Sequence, residues 1–409
     1  MRSEAETDTR TEIGAERGAG AESDTQSQAG TEIGTETRTS AEAKTRTGAE
    51  TRAGAEVKTG AGTRTDHQAR TRTDHQAGPV TTVDRGRFED AVTPWEEPDW
   101  REAALGWAER GLARHGLRET GPREVRVRPW SILVRFRTGP ADRDAVWFKA
   151  SAPAAGFEAA LGGALADWIP EHVMAPLAVD AERGWCLLPD GGPLLRGMLD
   201  RGDADLGDWL TAVGQYARMQ RALTPYADRM TELGVPSART RHLPEIFDGL
   251  VGTNPTLAPE TRDSLRARRP LLLDWCQELD AIGVPDSLDH CDLHDGQVLT
   301  PGAGRFTFFD WGDAAVAHPF ASLLVPARDV RERYGPETVT AVRDAYLEPW
   351  TDLGVPLPQL RRAATLAVRL AALSRAVSWF RLFPGTPAAD CHEASAYWVE
   401  ELFAAPDLL

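Results

Sequence analysis

The sequence predicts an α+β protein of two lobes, in which a small antiparallel sheet is followed by a mostly helical lobe and preceded by a disordered tail. Three observations support this fold class. Residues 1–80 lack a hydrophobic pattern, residues 123–190 contain short strand-like runs, and residues 191–409 show mainly helical spacing. Runs of strands followed by runs of helices are typical of α+β folds.

The first 80 residues are predicted to be a disordered, low-complexity tail. Positions 1–78 contain no Phe, Trp or Tyr, and their only large aliphatic residues are Ile13, Ile33 and Val57. Such a segment cannot bury enough apolar surface to offset the entropy lost on ordering. The short repeats TEIG and TRTDHQA also indicate low complexity.

Charge and cysteine usage narrow the classes of function. The formal net charge of −16 disfavours nucleic acid as a partner and is compatible with a cationic one. Cys186, Cys276, Cys291 and Cys391 contain no CxxC pair, which argues against a zinc ribbon and a disulfide framework. No apolar run approaches the roughly 18 residues of a membrane span, and none resembles a signal peptide. We therefore expect a cytoplasmic protein with no nucleic-acid or membrane partner.

The elements of the first lobe follow in order. Residues 81–122 are predicted to form a linker and a helix, because apolar residues recur at helical spacing from 99 to 116 behind Asp99 as the N-cap. In residues 123–190 the period changes to that of about five antiparallel strands with one inserted helix. The expected strands are 124–128, 131–138, 145–150, MAPLAVD and GWCLLPD, and the helix is 156–168.

Residues 191–409 are predicted to form the helical lobe. A helix begins near Leu206, and others are expected near 259–281, 336–350 and 358–381. The last is an Ala- and Leu-rich core helix to which we assign no function. One segment, residues 287–313, is strand-like and breaks these helical surroundings, which makes it the first place to look for chemistry.

The strand-like segment predicts a β-hairpin, because QVLT (297–300) and FTFF (306–309) flank the turn signal PGAGR. An antiparallel hairpin turning near residues 303 and 304 pairs positions whose numbers sum to about 607, which places Gln297 opposite Asp310. Asp292 lies on the loop that enters the hairpin. Two carboxylates and a carboxamide would therefore meet at one end of it, and such oxygen ligands suit Mg²⁺.

Lys149 is the only lysine between Thr81 and the C-terminus, a span that contains 34 arginines. An ammonium is a compact point charge, whereas a guanidinium is a wide planar fork. A single ammonium on a predicted strand of an arginine-rich chain therefore indicates a function that arginine would not fulfil.

Two motifs resemble those of a known superfamily. HCDLHDGQ (290–297) resembles the catalytic loop H-x-D-x-x-x-x-N of the protein-kinase-like superfamily, and FFDWGD (308–313) resembles its metal-binding Asp motif. The Trp after Asp310 and the sequence HPFASLL (318–324) are more similar to the aminoglycoside phosphotransferase family of small-molecule kinases than to protein kinases. The resemblance extends over residues 125–380 and is strongest around these motifs.

This resemblance implies a two-lobed protein-kinase-like fold and an ATP-dependent transfer of the γ-phosphoryl group to a hydroxyl of a small molecule, with aminoglycoside-type antibiotics as one acceptor class. Asp292 would orient or deprotonate the acceptor hydroxyl, and Asp310 would hold Mg²⁺ with Gln297. Lys149 would contact the α- and β-phosphates and pair with Glu158.

The resemblance also implies two contacts at the nucleotide. Ser131, where the phosphate-covering loop joins the first two strands, would touch a phosphate. The LPDGG segment (188–192), with Pro189, would form the hinge between the lobes and offer backbone groups to adenine.

The sequence departs from the family pattern at three points. Gln297 replaces the expected Asn, which puts a second Mg²⁺ in doubt, and Ser322 stands where an Asp usually braces the catalytic loop. No G-x-G-x-x-G loop precedes Lys149, which disfavours a true protein kinase.

Two alternatives remain open at this point. A zinc-dependent hydrolase could use the HCDLHD cluster with His290, Asp292 and His294, although it leaves Lys149 unexplained. A catalytically inactive nucleotide-binding pseudokinase is suggested by Gln297. The acidic composition is compatible with a cationic small molecule as the phosphoryl acceptor.

Overall fold

The computed structural model describes residues 83–84, 93–141, 144–302, 304–382 and 389–403. The predicted tail, residues 1–80, lies outside these described residues. Within the described ranges no helix combines the length and the apolar character that crossing a membrane requires.

The first lobe is built on a five-stranded sheet. Its strands are β1 (Glu124–Val127), β2 (Ser131–Arg137), β3 (Ala145–Ser151), β4 (Ala178–Asp180) and β5 (Trp185–Pro189). They lie in the order β1-β2-β3-β5-β4, and each neighbouring pair is antiparallel. The prediction of a small antiparallel sheet is confirmed.

Strand β3 lies in the middle of this sheet. Its Lys149 is paired with Leu133 on β2 and with Cys186 on β5. Because the backbone of β3 is hydrogen-bonded on both sides, the starting point of the Lys149 side chain is fixed by the sheet.

Helix α1 (Pro98–Arg114) covers one face of the sheet. It begins one residue before the predicted N-cap, since Glu97 is the N-cap and Pro98 follows it. Proline suits the first helical position, because its φ is already helical and its missing N–H would have had no partner there. The buried side of α1 packs on the sheet through Trp107, whose ring centroid lies 5.9 Å from that of Trp185.

Helix α2 (Phe157–Trp168) follows β3 and links the two lobes. Its Leu161 and Leu165 are fully buried in the core of the helical lobe and not in the core of the sheet. The first turn of α2, which carries Glu158, is therefore held between the two lobes.

The second lobe is mostly helical, as predicted. Its helices are α3 (Leu195–Arg201), α4 (Leu206–Leu223), α5 (Ala227–Glu232), α6 (Leu243–Thr253), α7 (Pro259–Ala267), α8 (Arg269–Ile282), α9 (Leu324–Tyr334), α10 (Val339–Leu347), α11 (Leu357–Leu382) and α12 (Ala389–Glu401). The single helix expected at 259–281 is two helices, α7 and α8, with Arg268 between them. Pro270 in the first turn of α8 explains the break, because proline cannot continue the hydrogen bonding of α7.

Short strands interrupt the helical lobe. Strands β6 (Ser237–Ala238), β7 (Ser287–Asp289) and β10 (Ala315–Ala317) form a small sheet in which β10 is central, parallel to β6 and antiparallel to β7. Strands β8 (Val298–Gly302) and β9 (Arg305–Phe308) form the predicted hairpin.

The register of this hairpin differs by one from the prediction. Gly302 pairs with Arg305, which sums to 607, but Val298 pairs with Phe308, which sums to 606. The shift falls between Leu299 and Gly302, where β8 has one more residue than β9. Pro301 lies in this bulge, and proline has no N–H to donate to the ladder.

Candidate active site

The Lys149 side chain is buried, with 9% of its surface exposed, and it contacts two carboxylates. Its Nζ lies 2.6 Å from Glu158 Oε1 and also donates to Asp310 Oδ1. Burial alone would lower the pKa of Lys149, but Asp310 and Glu158 outweigh it and raise this pKa above its ordinary value. The ammonium is therefore held in its charged form.

Glu158 joins three parts of the chain. Besides Lys149, its Oε1 accepts a hydrogen bond from the Trp311 backbone N–H at 3.0 Å, and its Oε2 accepts one from the Ser151 hydroxyl. An acidic residue in the first turn of a helix is also favoured by the helix dipole. Sequence reasoning paired Glu158 with Lys149, and the structure places these two side chains in contact.

Asp310 follows the hairpin and has a left-handed backbone, with φ of 68°. Aspartate tolerates this conformation better than most residues because its short polar side chain bonds locally. Its Oδ2 accepts a hydrogen bond from Gln297 Nε2 at 3.0 Å, although the bulge shifts the predicted register. Because 36% of its side chain is exposed, the Asp310 carboxylate can be reached from outside the protein.

Asp292 lies on the loop before the hairpin and is 1% exposed. Its Oδ1 is 3.1 Å from Arg375 Nη2, and its Oδ2 is 3.7 Å from His294 Nε2. Burial would lower the pKa of Arg375, but the Asp292 carboxylate, followed by Asp313, raises it above the ordinary value. The buried Asp292 carboxylate is thus matched by a buried cation.

Arg375 is a site residue that sequence reasoning missed, because helix α11 was assigned only to the core. The stretch LAALSRAVSWF contains one arginine among apolar and small residues. A charged residue in a buried helix needs a partner, so this arginine was a signal that could have been used.

His290 connects the Asp292 loop to the strand end before Asp310. Its Nε2 lies 2.9 Å from the Phe309 carbonyl oxygen, and its ring centroid is 4.9 Å from that of Trp311. This contact holds the two segments that carry the expected catalytic and metal-binding carboxylates next to each other.

The histidines of the loop bond to protein groups. Nδ1 of His294 accepts hydrogen bonds from Gly296 N and from Arg196 Nη2, both at 3.0 Å. Among the residues that the structure describes, no group of three His, Cys, Asp or Glu side chains is arranged to hold a metal ion. The zinc-hydrolase alternative therefore finds no ligand set in this part of the chain.

A second charged cluster, which sequence reasoning also missed, contacts the loop of Asp292 through Asp295. Asp295 accepts hydrogen bonds from Arg196 Nε and, at 3.0 Å, from Arg333 Nη2. Asp329 Oδ2 accepts from the Asp295 backbone N–H at 3.4 Å. Burial, together with the charge of Asp295, raises the pKa of Asp329 to about 8. Asp329 and Arg333 lie together on α9, but Asp295 and Arg196, on α3, are distant from them in the chain, so spacing in the sequence does not bring the cluster together.

The structure places Ser131 and Pro189 on the two strands that flank β3. Ser131 begins β2, where its Cα is paired with Ser151, and its carbonyl oxygen accepts from Arg128 N at 2.9 Å to close the β1–β2 turn. Pro189 ends β5, where its Cα is paired with Val146. Their contacts to a nucleotide stay predictions.

The segment after Pro189 is tied to both lobes. Asp190 N donates to Ala145 O at 3.2 Å, and Thr300 N donates to Pro193 O at 2.9 Å. Between them, a Cβ on Gly191 would come within 2.4 Å of the Leu299 side chain. A larger residue at position 191 would therefore require the end of the Leu299 side chain to move.

The donor set fits a metal-bound polyanion. The Asp310 carboxylate and the Gln297 carboxamide are hard oxygen groups of the kind that Mg²⁺ prefers, and Lys149 supplies a fixed positive charge beside them. Asp292, on a separate loop, is a carboxylate with the chemistry of a general base.

The antiparallel-sheet lobe followed by the mostly helical lobe defines a two-lobed, kinase-like fold. Neither a protein-family model nor a curated protein matches this chain. A solved structure of an ethanolamine kinase from Plasmodium vivax is similar to it, with a TM-score of 0.50 and 12% identity, over 76% of this chain and 90% of the kinase. The complex of APH(2")-IIIa with GDP and kanamycin is also similar, with a TM-score of 0.50 and 15% identity, over 73% of this chain and 98% of that one. The predicted resemblance is confirmed at the level of the fold.

Proposed function

We propose that this protein is a phosphotransferase that moves the γ-phosphoryl group of ATP to a hydroxyl of a small molecule. The observation that carries this proposal is the unbroken series of side-chain contacts from Glu158 through Lys149 and Asp310 to Gln297. It gathers a cation and metal-type oxygen ligands beside the loop that carries Asp292. The names of the two structural neighbours, an ethanolamine kinase and a GDP and kanamycin complex, support the same reaction class.

At the donor end, Lys149 binds the α- and β-phosphates, and Glu158 keeps the ammonium in place. Asp310 and Gln297 hold Mg²⁺, which, when bound, neutralises charge on the phosphates. The Ser131 hydroxyl contacts a phosphate and the Pro189 carbonyl contacts adenine. Lysine suits this role because its compact ammonium fits between Glu158 and Asp310, whereas a guanidinium would need more room and a fork of acceptors.

At the acceptor end, Asp292 accepts a hydrogen bond from the reacting hydroxyl and takes its proton as the phosphoryl group arrives. Arg375 pairs with this buried carboxylate and positions it before the reaction. The proton therefore moves from the acceptor oxygen to Asp292 Oδ. The new P–O bond forms on that acceptor oxygen while the bond from the γ-phosphorus to the β,γ-bridging oxygen breaks, and ADP leaves with the electron pair of that bond.

The acceptor is a cationic, hydroxyl-bearing small molecule. The chain as a whole carries a formal net charge of −16. An acidic protein attracts ammonium groups. Ethanolamine and kanamycin, named for the two neighbours, are both amines with hydroxyl groups.

The test is ADP release with Mg²⁺ and ATP or GTP across amino alcohols, aminoglycosides, macrolides and neutral sugars. We expect at least one amine-bearing alcohol to stimulate release. Asp292→Asn should abolish this stimulation and leave binding of Mg²⁺–ATP intact, whereas the matched variant Asp286→Asn, on the loop before β7, should retain it.

Two outcomes would reject the proposal. Binding of ATP without stimulation by any acceptor would favour the pseudokinase alternative. Absence of ATP binding in the presence of Mg²⁺ would remove the kinase assignment altogether.

A further inference from the structure

Cys291, the residue before Asp292, has an unusual backbone conformation. Its φ is 60°, and in the part of the chain that the structure describes only Asp310 is another non-glycine residue with positive φ. This region is disfavoured for residues that carry a Cβ, and Cys lacks the short polar oxygen that lets Asn and Asp adopt it. Such a conformation persists only where the surroundings impose it.

The Asp289 carboxylate supplies that restraint. Its Oδ1 accepts a hydrogen bond from the Cys291 backbone N–H at 2.9 Å, and its Oδ2 accepts one from the Cys291 thiol at 3.1 Å. Burial and the neighbouring Asp289 raise the pKa of this thiol well above its usual range, so the sulfur keeps the proton that it donates. Asp289 itself is 1% exposed.

Ser322 connects this restraint to the helical lobe. Its hydroxyl donates to Asp289 Oδ1 at 2.6 Å and accepts from the His290 backbone N–H at 3.3 Å. Gln220 on α4 donates to the same hydroxyl oxygen at 3.1 Å. Asp289 is therefore hydrogen-bonded to Ser322, which α4 contacts through Gln220. Its carboxylate also accepts the two hydrogen bonds from Cys291.

We infer that Asp289 is a positioning residue for the loop, holding Cys291 in its left-handed conformation so that Asp292 is correctly placed. This inference rests on the proposed function, because it concerns the placement of the catalytic residue Asp292. Asp289 itself is assigned no contact with substrate. Without the carboxylate, the Cys291 N–H and the Ser322 hydroxyl lose a buried acceptor. Cys291 would then relax towards negative φ, and the following Asp292 would move with it.

The kinetic test combines changes at positions 289 and 291. Asp289→Val should lower kcat by about 100-fold, the loss expected for a misplaced catalytic group, and change the KM for ATP by less than about threefold. Glycine adopts positive φ without cost, so adding Cys291→Gly should recover about tenfold in kcat. Asp289→Asn keeps one acceptor oxygen, so its kcat should lie between those of wild type and Asp289→Val. It replaces Asp289→Val in this test if that variant does not fold.

The matched control is Cys276→Ala, which removes a buried thiol on α8. Combined with the same variant at position 289 that carries Cys291→Gly, it should recover nothing. Equal recovery by Cys276→Ala and Cys291→Gly, or no recovery by either, would overturn the inference.

A second readout does not depend on activity. Maleimide labelling of the folded protein, followed by peptide mass mapping, gives the labelling rate of Cys291 relative to that of buried Cys276 in the same molecule. In Asp289→Asn this ratio should rise by at least about tenfold, because the loop opens locally. An unchanged ratio would refute the restraint even in an active enzyme, while a wild-type protein without phosphotransfer would refute only the proposed function.

Discussion

Arg375 Nη2 lies 3.1 Å from Asp292 Oδ1, and the exposed fractions of the two side chains are 4% and 2%. Taking two charges out of water is costly, and the cost is offset only while both partners remain. Helix α11 therefore does more than fill the core of the helical lobe, because it delivers the cation that pairs with the loop carboxylate.

Arg375→Ala should destabilise the protein by about 3–5 kcal/mol, because it leaves the Asp292 carboxylate buried without a cation. If the protein folds, the acidic limb of its kcat/KM profile should move to higher pH, since the charged form of Asp292 loses its neighbour. Arg375→Lys should show both effects more weakly. Urea unfolding and a pH–rate profile measure these changes.

Arg369→Ala is the matched control, because Arg369 lies on the same helix with its guanidinium 4.4 Å from the centre of the Trp275 ring. Loss of this contact should cost at most about 1 kcal/mol and leave the pH profile unchanged. A wild-type profile in Arg375→Ala would contradict the role given to the pair.

Lys149→Arg should raise the KM for ATP and lower kcat, each by about tenfold or more, although the charge is kept. The buried ammonium lies 2.6 Å from Glu158 and also contacts Asp310. A guanidinium is wider and needs a fork of acceptors, so it cannot take the same position. The reverse exchange Arg135→Lys, at a buried site on β2 paired with Glu124, is the control and should leave the kinetics with ATP unchanged. Steady-state kinetics with varied ATP measure kcat and the KM for ATP. Equal values for Lys149→Arg and wild type would exclude a phosphate-binding role for Lys149.

The elements that could be predicted from the sequence are those with a strong local period. The five strands, the inserted helix and the hairpin at residues 297–309 follow from alternation, helical spacing and a turn signal. The predicted hairpin register was wrong by one, because Pro301 lies in a bulge whose position the turn alone does not determine.

The contacts that could not be predicted come from distant parts of the chain. Arg375 reaches Asp292 from a helix far along the sequence, and Ser322 joins Asp289 through a hydrogen bond that no spacing rule contains. Lys149 was singled out because it is the lone lysine of the body, which is a property of composition and not of structure. Composition thus identified Lys149 as a candidate site residue, but the packing of the folded chain determines which carboxylates contact it.

Gln297→Leu should raise the Mg²⁺ concentration for half-maximal activity by about tenfold, in the range seen when groups that orient metal ligands are removed. The change deletes both the carboxamide oxygen and the 3.0 Å contact with Asp310. Gln215→Leu is the control, because Gln215 also contacts the hairpin, through Gly304 O and Phe306 N, and is not part of the proposed metal site. Magnesium titration of the initial rate is the measurement. A similar shift in both variants would mean that Gln297 acts only through the shape of the hairpin.

Asp329→Asn should change how stability depends on pH. The pKa of Asp329 is raised to about 8 in the folded chain, whereas an Asp in an unfolded chain titrates near 3.9. Between these pH values the folded chain binds more protons than the unfolded chain, so the free energy of unfolding contributed by this group falls as pH rises. The wild-type Tm should therefore decline from about pH 5 to about pH 8.5. Asp329→Asn should remove part of that decline and should be the more stable form at the upper end.

Asp263→Asn, at an exposed position on α7, is the control and should leave the wild-type slope of Tm against pH in place. Parallel curves of Tm against pH for Asp329→Asn and wild type would show that Asp329 is ionised in the folded protein at neutral pH, and that the cluster behind the loop tolerates the charges of both Asp295 and Asp329.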